Sequence, residues 1–170
     1  IGGFVAGYYL LRYLIGKKDS AFYLTKKQLD DFFTFIVLGV IIGGRLGYVL
    51  FYNLPYFIEK PLEIFALWHG GMSFHGGLIG VIVATFLFTY NKSFSDKSVL
   101  RNSFRILDAL SVVAPVGLFL GRIANFINME VMGRETTSGF GVVFAGGQYI
   151  PRHPSPIYEA TLEGLVLFII

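Results

Sequence analysis

The chain contains no cysteine and is poor in charge. Without thiols there are no disulfides, no thiolate metal sites and no cysteine nucleophile. Charged residues make up 15%, against about 25% in an ordinary soluble domain. The three histidines are isolated in sequence, and no HExxH occurs, so no metal-ligand spacing is present. A P-loop, a GxSxG elbow and a nucleotide fingerprint are missing as well. No metal and no cofactor are therefore expected. Neither sign of charge dominates: the formal net charge is only +3, which argues against nucleic acid as a partner.

What remains is apolar. Hydrophobic residues account for 54% of the 170 positions, and the mean hydropathy is +0.63. Such a chain cannot cover its surface with polar groups, so lipid is the expected solvent. Apolar runs fall at 1–16, 32–52, 73–90, 106–127 and 156–170. Aromatic-rich runs without a period of two favour helices over barrel strands. The expected fold is all-α, a polytopic transmembrane helical bundle with parts of five spans, forming a single integral membrane domain over residues 1–170. The first and last residues both lie inside apolar runs, so the chain reads as truncated at each end, and residues 1–16 read as a span rather than a signal peptide.

Loop charge orients the bundle. Lys17, Lys18, Lys26 and Lys27 crowd the first loop, and Lys92, Lys97, Arg101 and Arg105 the third. The second loop has only Lys60, between Glu59 and Glu63, while the fourth balances Arg134 and Arg152 with Glu130 and Glu135. The positive-inside bias puts the first and third loops in the cytoplasm and the other two outside. Gly39, Gly43 and Gly47 recur every fourth residue, as do Gly117 and Gly121. That period lets helix backbones approach closely.

With the spans placed, the unusual polar residues share one depth near the outer face: Arg45, His75, Arg122, Glu159 and Glu163. A charge at mid-membrane costs about 2.5–3.5 kcal/mol on insertion scales, so such residues tend to face a bundle interior or an aqueous cavity. Arg45 either snorkels to the interface or pairs with a carboxylate. Glu159 and Glu163 suit partners of an arginine. Arg122 opens a polar face continued by Asn125 and Asn128, and its planar fork matches phosphate oxygens at the headgroup layer. His75 is bracketed by glycines that suit irregular backbone, and its imidazole could accept a proton or pair with phosphate. His69 reads as interfacial, and Ser155 with Pro156 as the N-cap and first residue of the last helix. The residues by themselves describe a membrane-embedded site for an anionic lipid headgroup, opening outward. They do not name a reaction.

The run from Gly121 to Gly133, GRIANFINMEVMG, resembles the signature G-R-x-[GA]-N-F-x-N-x-E-x-x-G of the prolipoprotein diacylglyceryl transferase family. GGRLGYVLFYN at 43–53, GGMSFHGGLIG at 70–80 and RHPSPIYEA at 152–160 agree with it in order and spacing. The resemblance implies an enzyme of the bacterial inner membrane, with multiple passes and an active site towards the outer face. Its partners would be phosphatidylglycerol and the signal peptide of a prolipoprotein, whose lipobox cysteine takes the diacylglyceryl group as a thioether while glycerol 1-phosphate leaves. Arg122 then matches the phosphate-binding arginine and His75 the histidine of the HGG motif, the catalytic pair. Asn125, Asn128, Glu130 and Gly133 complete the signature, and with Arg45 and Arg122 form the expected substrate-binding set. A tyrosine and a further arginine of the family site would lie before residue 1 and beyond residue 170.

A transporter or channel would spread its charges through the membrane depth and carry repeats, and none is seen. A different lipid enzyme using the same arginine would release fatty acid or free phosphate. A scaffold would leave the polar density around Arg122 unexplained.

Overall fold

Glycine against glycine is what allows the second and third long helices to meet. In a computed structural model, residues 2–15, 24–92, 98–144 and 150–170 are described. The chain divides into two compact units, one of residues 15–108 and the other of residues 1–14 with 109–170. Of the loop cations, Lys17, Lys18 and Lys97 lie outside the described residues.

In the unit of residues 15–108, α2 runs from Lys26 to Phe51. It starts six residues before the apolar run because a capping box extends it: Gln28 N–H donates to Thr25 Oγ1 at 3.3 Å, and Thr25 N–H to Gln28 Oε1 at 2.9 Å. After α3 (Leu54–Glu59) come two 3-10 turns, Pro61–Phe65 and Leu67–His69. This structure in the second loop left no periodic signal in the sequence. Ser73 then caps α4 (Phe74–Asn91), its hydroxyl accepting from Gly76 N–H.

Helices α2 and α4 interlock through small residues. A methyl group on Gly39 would fall 2.6 Å from the Gly80 carbonyl oxygen, one on Gly43 2.8 Å from Gly80 Cα, and one on Gly47 2.7 Å from Gly76 Cα. The expected role of these three glycines is thus observed. Away from this seam Phe88 packs on Phe32, with ring centroids 5.1 Å apart. The polar groups inside the unit satisfy one another: Thr85 donates to Val81 O, Thr89 donates to Thr85 O, and the Thr89 hydroxyl meets that of Ser103 at 2.7 Å. At the basic end Lys92 Nζ pairs with Asp31 Oδ2 at 2.6 Å.

The other unit holds most of α1 (Gly2–Ile15), the later part of α5 (Val99–Ile127) and the last helix. The last helix is interrupted: α6 covers Ser155–Glu159, a π-helical segment Ala160–Val166, and α7 Leu167–Ile169. It begins one residue earlier than expected, with Pro154 at the N-cap and no side-chain cap from Ser155. Gly164 lies against α5, where a methyl group would come within 2.6 Å of Phe119 Cβ. On α5 the glycine repeat behaves differently from that on α2. Gly3 approaches Gly117, but a methyl group on Gly121 would meet nothing within 4 Å among the described residues. Among the described residues Gly121 therefore packs against no other helix.

Two glycine substitutions should separate these cases in thermal unfolding of the detergent-solubilised protein. Gly80→Ala forces backbones apart and should destabilise by about 1–3 kcal/mol. Gly121→Ala should leave the midpoint unchanged or raise it, because alanine is favoured over glycine in a helix by about 0.5–1 kcal/mol.

Candidate functional site

Arg122 projects from α5 towards the last helix. Its Nη1 lies 2.8 Å from Glu159 Oε2, off the line of a hydrogen bond, and its Nη2 donates to Glu163 Oε2 at 3.2 Å. Glu159 ends α6 and Glu163 falls in the π-helical segment. Both carboxylates expected to partner an arginine do so. Asn125 follows three residues later on the same face, half-buried, and its side chain makes no hydrogen bond among the described residues. Arg122 and Asn125 thus share one edge of α5, where two carboxylates of the last helix meet the cation.

The rest of the signature builds the end of that helix. Met129 N–H donates to Phe126 O at 3.2 Å and Glu130 N–H to Asn125 O at 2.8 Å. This is a Schellman closure with Asn128 as the last residue of the turn. Met129 takes the left-handed conformation at φ 57°, where glycine is usual, and Val131 does so at φ 55°. A β-branched residue there is strained. The side chains of Asn128 and Glu130 are exposed.

Gly133 has a different task. A methyl group on it would collide with Ser155 Oγ and the His153 carbonyl. Its N–H donates to His153 O at 3.2 Å, and its own carbonyl accepts from Arg152 Nη1 at 3.2 Å. Arg152 Nη2 also pairs with Glu135 at 2.8 Å, and isolated antiparallel bridges join Arg152 to Glu135 and Val142. His153 Nδ1 lies 3.2 Å from the Tyr158 hydroxyl. Gly133 therefore fastens the fourth loop to the entrance of the last helix, a role its place in the signature did not disclose.

In the unit of residues 15–108, Arg45 neither snorkels nor meets a carboxylate. It is 5% exposed, and all five of its N–H groups go to backbone carbonyls. Nε donates to Ile64 O at 2.9 Å, Nη1 to Gly71 O at 3.1 Å and to Gly70 O, and Nη2 to Glu63 O at 2.6 Å and Ala66 O at 3.1 Å. Phe57 covers it with its ring centroid 5.1 Å from Cζ. Gly70 and Gly71, at φ 77° and 80°, adopt the left-handed backbone that turns their carbonyls to the guanidinium. No donor remains on Arg45 for another ligand. Beside it lies a cavity of about 160 Å³, bordered also by Tyr48, Tyr56 and Glu63. Glu63 pairs with His69 at 2.9 Å.

His75 is the second residue of α4 and is exposed, its ring edge-on to Phe74. The glycines that follow it are helical, and Gly76 serves the seam with α2. The irregular backbone expected around His75 is instead at Gly70 and Gly71. Among the described residues no group of three or more His, Asp or Glu side chains is placed to hold a metal ion.

Helical spans of this length and apolarity mark a membrane protein, with three helices among the described residues long and apolar enough to cross a bilayer. The family described as Prolipoprotein diacylglyceryl transferase matches residues 1–170. Relatives named phosphatidylglycerol--prolipoprotein diacylglyceryl transferase include one from Rickettsia canadensis, 46% identical over 100% of this chain and 67% of the relative. Another from Geobacter sulfurreducens is 48% identical over 99% of this chain and 61% of the relative, and one from Rhodospirillum rubrum is 47% identical over 99% and 64%. The chain belongs to the prolipoprotein diacylglyceryl transferase family, and it spans about three-fifths to two-thirds of the length of these relatives.

Arg45→Lys should be poorly tolerated. An ammonium has three N–H donors, so at least two of the five carbonyls lose their partner, at about 1–3 kcal/mol each. The expected outcome is a clear fall in the thermal midpoint in detergent, and an unchanged midpoint would contradict the clasp.

Proposed function

We propose that this protein transfers the diacylglyceryl group of phosphatidylglycerol to the lipobox cysteine thiol of a prolipoprotein, in the bacterial inner membrane. The observation that carries this reading is the polar edge of α5, where Arg122 and Asn125 stand together within the family signature. The thiolate attacks the sp3 carbon that bears the phosphate ester. A carbon–sulfur bond forms, the carbon–oxygen bond breaks, and glycerol 1-phosphate leaves with the electron pair. Negative charge thus grows on the departing phosphate, where a preorganised guanidinium in a water-poor site stabilises it best. Arg122 suits that task because its fork can hold two phosphate oxygens at once.

A free thiol has a pKa of about 8.5, so attack at neutral pH requires a proton acceptor. His75 is the proposed acceptor: it is exposed, and among the described residues its ring meets only that of Phe74. Asn125, Asn128 and Glu130 would contact the headgroup. Arg45 and Gly133 enter as positioning residues, since both are fully engaged with backbone. The loop charges support a site towards the outer face.

The test is release of glycerol 1-phosphate from phosphatidylglycerol with a lipobox peptide. Arg122→Ala should lose release by at least about a hundredfold, and Arg122→Lys should recover little of it, because a point charge cannot replace the fork. Near-normal turnover in the lysine variant would remove Arg122 from this role. For His75→Gln, a changed pH–rate profile is expected, and a profile of wild-type shape would exclude the base role.

A further inference from the structure

Arg122 faces one carboxylate more than a phosphate-binding arginine needs. Its two terminal nitrogens lie 2.8 Å from Glu159 and 3.2 Å from Glu163, so the cluster of one cation and two anions carries a formal charge of −1. The two carboxylates are not equivalent. Glu159 is 31% exposed with Oε2 enclosed by protein, whereas Glu163 is 46% exposed and held by a single hydrogen bond of 3.2 Å. Glu163 also sits in a π-helical segment, a device common at functional sites. Its neighbour Gly164 is packed on Phe119, which fixes the backbone and leaves the side chain as the part able to move.

Resting on the transferase reading above, we propose that Glu163 competes with bound phosphate for the Arg122 guanidinium and so selects the monoanionic phosphodiester of the substrate over the phosphomonoester of the product. A phosphodiester carries one negative charge. A phosphomonoester near pH 7 carries about 1.5 to 2. Repulsion by a neighbouring carboxylate scales with the ligand's charge, so Glu163 disfavours the product nearly twice as strongly as the substrate. At about 5 Å and an effective dielectric constant of about 20, one unit-charge pair already changes an equilibrium constant more than tenfold. When the carbon–oxygen bond breaks and the phosphate gains charge, repulsion from Glu163 grows with it and offsets part of the tighter hold that Arg122 takes on the product. Glu163 is a positioning residue in this scheme: it acts through Arg122 and touches no reacting atom.

The experiment compares the wild type with Glu163→Gln in detergent, measuring KM for phosphatidylglycerol and the inhibition constant of added glycerol 1-phosphate. Glutamine keeps an oxygen that can accept from Arg122 while removing the charge. KM should fall about tenfold and inhibition should tighten about a hundredfold, because the second factor is roughly the square of the first, so their ratio rises. A ratio equal to that of the wild type would overturn the proposal, and a lowered thermal midpoint with that same ratio would assign Glu163 a purely structural role. Glu163→Ala, read in the same way, serves as the second neutral variant. Should the wild type release no glycerol 1-phosphate at all, the transferase reading fails. Calorimetric binding of glycerol 1-phosphate and of glycerophosphoglycerol to wild type and variant then still decides the charge selectivity, which stands if only the monoester gains strongly and falls if both gain alike.

Discussion

A guanidinium buried in a helix bundle cannot shed its charge and brings five N–H groups that need acceptors. Arg45 finds all five on the backbone between Glu63 and Gly71. Glu63 O and Ala66 O also accept from the backbone of the two 3-10 turns, from Ala66 N–H at 3.1 Å and His69 N–H at 3.3 Å, and the guanidinium adds its own bonds to these and to the carbonyls of Ile64, Gly70 and Gly71. Each side therefore satisfies the other. The loop then hands the chain to Ser73, whose N–H donates to Gly44 O at 2.9 Å beside the arginine, and Ser73 starts the helix that carries His75. One buried side chain of α2 thus sets where α4 begins.

The two intramembrane arginines illustrate opposite uses of the same group. Arg45 is surrounded by neutral dipoles with fixed geometry, so its charge is balanced and unavailable. Arg122 is 29% exposed and is balanced by side-chain carboxylates that can rotate. Dipoles in a fixed backbone hold a charge permanently, whereas a flexible carboxylate holds it until a better anion arrives. Burial and partner type, rather than residue identity, separate a structural arginine from a responsive one.

Much of this was legible in the sequence. Hydrophobic run length located the helices, because a segment in lipid must satisfy its own backbone, and the period of Gly39, Gly43 and Gly47 identified the α2 seam. The pairing of Arg122 with glutamates followed from the cost of leaving charges alone in an apolar medium. The second loop was not legible: Pro61–Phe65 and Leu67–His69 have no amphipathic period, and their conformation is dictated by a residue 18 to 26 positions earlier. Gly121 and Gly133 were ambiguous for a related reason. A glycine in a motif can serve packing, a turn or open space, and only the neighbours in three dimensions tell which.

The clasp also imposes an order on biosynthesis. Arg45 leaves the ribosome 18 residues before Glu63 and 26 before Gly71, the first and last of its acceptors. While α2 enters the bilayer, its guanidinium has none of the partners it will keep, and insertion of that charge is opposed by about 2.5–3.5 kcal/mol. The apolar length of α2 must carry the arginine in, and the emerging loop then closes over it. Truncating translation between these points would strand a charged helix in the membrane, so the nascent chain is most exposed to quality control during the synthesis of those few residues.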